Sequence, residues 1–109
     1  VVQKMAFAKC PHLVDVDLGS SLKTIGEEAF GDCVALRELV IPASVEYIDD
    51  CAFAHCSSLS RVRFEQMTRV GDGVFYECSM LAKIEVPEAF IPIYELDMRE
   101  EYGELIKAY

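Results

Sequence analysis

Hydrophobic residues recur along this chain with a period of 22 to 23 residues. A phenylalanine, a cysteine and a leucine stand in the same order in every period, with the same short spacing between them. The three columns are Phe7, Phe30, Phe53 and Phe75; Cys10, Cys33, Cys56 and Cys78; and Leu13, Leu36, Leu59 and Leu81. Repetition at such a period is typical of proteins whose units cannot bury their apolar faces alone and therefore stack into a continuous core.

Within each period, a short alternation of apolar and polar residues predicts a β-strand. Leu39 and Ile41 are expected to point inward and Val40 outward, which is typical of a half-buried strand. Val45 and Ile48 bound a second, weaker extended segment. We expect four strand segments at equivalent positions, running parallel about 4.8 Å apart and connected by a right-handed path. The third period is one residue short, but the deletion falls in a loop and leaves every apolar column intact.

The repeating unit A-F-x-x-C-x-x-L-x-x-V-x-L, followed by S-V-x-x-I-G-x-x, resembles the BspA-type leucine-rich repeat. The segment Ile25–Cys33 is the closer match, and Ser44–Leu59 follows the same pattern with Asp49 in place of glycine. The resemblance covers about Val2 to Pro87. It implies a leucine-rich-repeat solenoid, a right-handed coil with a short parallel β-sheet on its concave side and short helical or irregular turns elsewhere. It also implies protein binding, often attachment, in surface proteins of bacteria and some protists.

The two ends of the chain differ in pattern. Val2 occupies the column of Ile25, so the first unit is truncated and further repeats are expected N-terminal to Val1. We expect residues 1–87 to form about four repeats of 22–23 residues, and residues 88–109 to form a degenerate half-repeat followed by a C-terminal capping helix. The helix is predicted because the spacing of four apolar residues would place them on one face of it. These residues are Met98, Tyr102, Leu105 and Tyr109.

Composition excludes several classes of protein. The chain has 109 residues, of which 52% are hydrophobic, so it is too apolar for a disordered tail. Its formal net charge of −9 argues against nucleic acid and against an anionic membrane surface as partners. The sequence contains no apolar stretch approaching the roughly 18 residues of a membrane span. The resemblance implies a protein ligand, of unknown identity, as the partner. The compartment is unknown, and a cell-surface or secreted location is implied by the resemblance only.

The cysteines allow three interpretations. Cys51, His55 and Cys56 suggest a zinc site, with Cys10 or His12 as a further ligand, but the paired C-x-x-C clusters of structural zinc sites are missing. Stacked cysteines in adjacent units also allow a disulfide where the geometry suits it. Small buried thiols in a regular core column explain the spacing without either, so no metal is predicted. Cys51 stands outside that column and is the best candidate for modification.

In three of the four units an acid precedes the phenylalanine-bearing segment, which is itself predicted to be a helical turn. This acidic column consists of Glu27, Asp50 and Asp72. Repeated acids can bind calcium, but one acid per unit supplies too few oxygen ligands. Acids at the start of a turn instead bind free N–H groups, and this role is favoured. No catalytic pair or glycine-rich phosphate loop stands out from the repeat pattern, so neither enzymatic activity nor a cofactor is predicted.

Solvent-facing strand positions are the surface through which the resembled family binds its ligands. They form two columns, Asp15–Glu38–Arg61–Lys83 and Asp17–Val40–Arg63–Glu85, so Glu38 is expected beside Arg61, and Arg63 beside Glu85. A solvated face with cross-strand charge pairs and a mixed-charge docking patch centred on Arg61 and Arg63 are both consistent with the pattern. The alternative function is purely structural, with terminal repeats that cap a solenoid whose ligand site lies upstream. The predicted interaction surface consists of Asp15, Asp17, Glu38, Val40, Arg61, Arg63, Lys83 and Glu85.

Overall fold

The residues that the structure describes form two parallel β-sheets. The computed structural model describes residues 6–109, and for residues 95–97 and 99–101 the backbone alone. In chain order the elements are β1 (Thr24–Ile25), β2 (Glu38–Ile41), β3 (Tyr47–Ile48), β4 (Arg61–Phe64), β5 (Arg69–Val70), β6 (Lys83–Val86), α1 (Ile91–Tyr102) and β7 (Ile106–Ala108). The main sheet has the order β2-β4-β6-β7, and a second sheet has the order β1-β3-β5. The position predicted for Val2 lies outside the described residues.

The strand register reproduces the sequence period. Leu39 pairs with Val62, and Val62 pairs with Ile84, so residues of one column lie side by side on neighbouring strands. All three side chains are buried, whereas Val40, which lies between Leu39 and Ile41 on β2, is exposed. The second sheet also pairs residues of one column, since Ile48 pairs with Ile25 on one side and with Val70 on the other. Three of the four predicted parallel strands, with their inward residues, and the weaker extended segment are therefore confirmed.

The phenylalanine column forms a ladder through the core. Neighbouring ring centroids lie 5.1 Å apart for Phe7 and Phe30, 5.1 Å for Phe30 and Phe53, and 6.0 Å for Phe53 and Phe75. Phe30, Phe53 and Phe75 are buried, while Phe7 at the end of the ladder is 46% exposed. Each buried ring thus packs against rings of the units before and after it, and the core is continuous from unit to unit.

The phenylalanine-bearing segment is a series of turns instead of the predicted helical turn. In the unit of Phe53 the backbone N–H of Phe53 donates to Val74 O at 2.9 Å, so its hydrogen bond runs to the next unit and not along a helix. Cys51 and His55 adopt left-handed conformations, with φ of 55° and 61°. Left-handed residues recur at the same two columns in the other units, at Lys9, Glu28, Asp32, Gly73 and Glu77.

The first predicted strand segment, around Asp15 and Asp17, is not a strand. Residues 10–18 have no regular secondary structure, and Arg37 N–H donates to Val14 O at a long 3.4 Å. Aspartate is disfavoured in strands, and the Asp17 carboxylate instead accepts the backbone N–H of Gly19 at 2.9 Å. Local turn formation therefore replaces strand pairing in this unit.

The predicted C-terminal helix extending to Tyr109 is wrong in its second half. Helix α1 ends at Tyr102, a short 3₁₀ turn follows at Gly103–Leu105, and β7 then joins the main sheet. Ile106 pairs with Ile84, which stands 22 residues earlier, so the strand keeps the repeat period. Sheet pairing beside β6 satisfies the backbone of this segment, and the tertiary contact outweighs the helical spacing of its apolar residues.

Candidate functional site

Six of the eight predicted surface residues lie together on the outward face of the main sheet. The register places Glu38, Arg61 and Lys83 in one row across β2, β4 and β6. A second row contains Val40, Arg63 and Glu85, and β7 extends it with Lys107. We call these seven residues the strand face. Asp15 and Asp17 are also exposed, but they lie in the irregular segment of residues 10–18, which precedes β1, and not on a strand.

The charge pairs on the strand face differ from those expected. Glu38 does lie opposite Arg61 in the register, and Arg63 opposite Glu85. However, Arg61 forms its short ion pair diagonally, with 2.7 Å from both Nε and Nη2 to Glu85 Oε1. Lys83 Nζ lies 3.7 Å from the other carboxylate oxygen. Glu85 is only 6% exposed and is therefore held between two cations.

This contact lowers the pKa of Glu85. The hydrogen bond from Arg61 is the main cause, and the charges of Arg61, Lys83 and Arg63 act in the same direction, whereas burial opposes them. The same pair raises the pKa of Arg61. Glu85 is therefore the carboxylate on this surface whose ionised form is tied to the folded structure.

Substitution Glu85→Gln is expected to reduce the acid sensitivity of folding. The folded-state pKa of Glu85 is depressed, so its stabilisation is present above the ordinary glutamate pKa of about 4.3 and is lost as pH falls through the folded-state pKa. The free energy of unfolding, measured by urea titration at several pH values, should fall less on acidification in the variant. Glu65→Gln, at an exposed position after β4, is the control. Equal pH profiles for wild type and Glu85→Gln would contradict the assignment.

Tyr109 lies beside the strand face, and its contact with that face was missed by sequence reasoning. The guanidinium carbon of Arg63 lies 3.7 Å from the centroid of the Tyr109 ring, a cation–π contact. The Tyr109 hydroxyl donates to Phe64 O at 2.8 Å, and its backbone N–H donates to Val86 O at 3.3 Å. The signal that could have found it is the 22-residue step from Ile84 to Ile106, which continues the strand column beyond the recognised motifs.

The core cysteines donate hydrogen bonds from their thiols. Sγ of Cys33 lies 3.2 Å from Phe7 O, and Sγ of Cys56 lies 3.3 Å from Phe30 O. Cys78 makes the equivalent contact at 3.1 Å to the carbonyl oxygen of Phe53. Each thiol therefore binds the carbonyl of the preceding unit's phenylalanine, a contact that a small residue with an S–H donor can make. All five cysteines of the chain lie within the described residues and are free thiols.

Cys33, Cys51 and Cys56 are poorly suited to nucleophilic chemistry, whereas the hydrogen bond with Cys56 lowers the pKa of the buried Cys78 thiol. Burial raises the pKa of Cys33, and the neighbouring Cys78 thiol together with burial raises that of Cys56. Burial also raises the pKa of Cys51, and carboxylates around it, led by Glu28 and Asp50, add to the effect. A raised pKa lowers the fraction of reactive thiolate at neutral pH. Across the part of the chain that the structure describes, no three His, Cys, Asp or Glu side chains converge as metal ligands do.

Asp50, the middle residue of the acidic column, accepts a backbone hydrogen bond from the next unit. Asp50 Oδ1 accepts the N–H of Asp72 in the next unit at 2.9 Å, so this acid does bind a free N–H group, but across units and not within its own turn. Gly71 makes room for the approach, because a Cβ there would lie 2.9 Å from Asp50 N. These contacts give Asp50 a structural role where β3 and β5 end side by side.

Comparison with protein families gives a match that spans most of the chain. The family described as BspA type Leucine rich repeat region matches residues 1–96 in six copies. A comparison with curated proteins gives no match. Among the described residues, no helix is both long and apolar enough to cross a membrane.

Proposed function

Because the chain belongs to the BspA-type leucine-rich repeat family, we propose that it binds a protein ligand through the strand face of its main sheet. Repeats of this kind generally serve in protein interaction and not in catalysis. The observation that carries the proposal is the contrast between the two sides of the strands. Inward positions are aliphatic or aromatic in every unit, whereas the outward rows change from Glu38 to Arg61 and from Val40 to Arg63. A scaffold that holds its core constant and varies one face is suited to recognition.

The proposed architecture is a right-handed solenoid with the main sheet on its concave side. Parallel register at the repeat period in both sheets supports stacking of this kind. We assign residues 1–87 to the regular repeats and residues 88–109 to a divergent terminal unit. In that unit α1 serves as the cap, because Tyr94 and Tyr102 pack against Phe64 and Phe75, at 4.9 Å and 5.8 Å between ring centroids.

A purely structural role is the second candidate. One observation favours it: three of the cations on the strand face are already engaged within the chain. Arg61 and Lys83 are paired with Glu85, and Arg63 lies on the Tyr109 ring. In this case the segment would cap a longer repeat array, and recognition would take place upstream.

Site-specific photocrosslinking distinguishes the two functions. A benzophenone amino acid is placed either at Val40, which is 47% exposed on the strand face, or at Val34, which is 42% exposed on a turn outside it. We expect the photoreactive residue at position 40 to crosslink to a protein that the photoreactive residue at position 34 does not reach. That crosslinked protein, once purified, should bind the chain directly. The double variant Arg61→Glu, Arg63→Glu should abolish that binding. Identical capture at the two positions, or binding that survives the double variant, would refute the proposal.

A further inference from the structure

The chain is strongly acidic overall, but the strand face is basic at the end formed by β4, β6 and β7. Four of the ten lysine and arginine residues lie on three adjacent strands, whereas the whole chain carries −9. Within β4, β6 and β7 the single carboxylate is Glu85, and it is nearly buried between Arg61 and Lys83. The four cations are Arg61, Arg63, Lys83 and Lys107.

The sheet geometry concentrates these cations. Neighbouring parallel strands lie about 4.8 Å apart and rise about 3.3 Å per residue, so the four Cα positions fit within roughly 10 Å by 7 Å. Arg61 and Lys83 keep about half of their side-chain surface exposed, at 45% and 50%, despite their contacts with Glu85. Lys107 is also exposed. Opposite charge on a partner could therefore approach several cations at once.

Arg63 is held in place for such a contact. The ring of Tyr109 lies under its guanidinium, and the ring is itself fixed by the hydroxyl bond to Phe64 O. Stacking on an aromatic ring leaves the N–H donors at the edge of the guanidinium plane, which is the edge that binds a carboxylate. A side chain ordered before binding loses less conformational entropy when the partner arrives.

From this arrangement we infer that the ligand of the strand face presents a short cluster of carboxylates to β4, β6 and β7. The inference rests on the proposed function and specifies its partner as an acidic protein segment. The far end of the same surface is itself acidic, with Glu38 on β2 and with Asp15 and Asp17 before it. Together with the overall charge of −9, these acids repel a long polyanion and favour a short acidic segment placed over the basic end.

A fluorescein-labelled oligoglutamate peptide tests the inference by fluorescence anisotropy at low ionic strength. We expect it to bind, to be released by added salt, and to bind about tenfold more weakly to Lys107→Glu. Lys23→Glu is the matched control, since Lys23 is exposed beside β1 and the substitution changes the net charge equally. It should leave the affinity within about twofold. Lys107→Gln gives an intermediate loss, and far-ultraviolet circular dichroism verifies that each variant is folded.

Four outcomes would overturn the inference. The inference is wrong if oligoglutamate binds no more tightly than oligolysine of the same length, and it is wrong if Lys23→Glu and Lys107→Glu weaken binding equally. A heparin-derived oligosaccharide that binds more tightly than oligoglutamate, with the same dependence on Lys107, would assign the face to a sulfated glycan. Concentration-dependent dimerisation that is lost in Lys107→Glu would assign it to a second copy of the chain. The Val40 crosslink is independent of these results, so the proposed function can hold when the acidic partner fails.

Discussion

Replacing Phe53 by alanine is expected to lower the free energy of unfolding by about 3–5 kcal/mol, the range typical of a large aromatic removed from a packed core. Phe53 is fully buried, and its ring lies 5.1 Å from Phe30 and 6.0 Å from Phe75. Truncation removes the apolar contacts and leaves a cavity between two units. Because each unit is stabilised mainly by its neighbours, a break in the middle of the ladder weakens both sides of it.

Urea-induced unfolding followed by far-ultraviolet circular dichroism measures the effect, since the chain contains no tryptophan. Phe7→Ala is the matched control, because Phe7 stands in the same ladder but is 46% exposed at its end. We expect the control to cost less than half as much. An equal loss for the two variants would show that the ladder is not a core feature.

The repeated columns made most of the fold predictable. A side chain such as Leu39 or Val62 has the same surroundings in every unit, so the period alone predicts which residues pair and which point inward. The outward rows follow from the same register, and Arg61 and Arg63 were therefore placed on the correct face. Predictions of this kind succeed because a single structural rule is applied several times to similar sequence.

The errors arose where a local preference competed with a contact between units. The spacing of Leu105 and Tyr109 favoured a helix, but pairing with β6 drew Ile106–Ala108 into a strand. Asp15 and Asp17 matched the strand columns, yet the carboxylate of Asp17 stabilises a turn. The partner of Arg61 was also unpredictable, because the register alone does not decide between the opposite residue Glu38 and the diagonal residue Glu85.

Tyr94 provides the second prediction, and it concerns the loop that the third period shortens by one residue. The Tyr94 side chain is fully buried, and its hydroxyl donates to Gln66 O at 2.7 Å and accepts the N–H of Thr68 at 2.8 Å. Helix α1 thus supplies a polar group to the backbone of the shortened loop. Thr68 is itself buried, so its N–H would lack this partner if the hydroxyl were removed.

Tyr94→Phe is therefore expected to lower the free energy of unfolding by about 2 kcal/mol, within the range of about 1–3 kcal/mol for a buried polar group left unsatisfied. The ring and its contact with Phe64 remain, so the loss reports the hydroxyl and not the packing. Tyr76→Phe, at an exposed position, is the control and should change stability by less than about 0.5 kcal/mol. If the two variants unfold at the same urea concentration, the hydrogen bonds of the Tyr94 hydroxyl do not stabilise the protein.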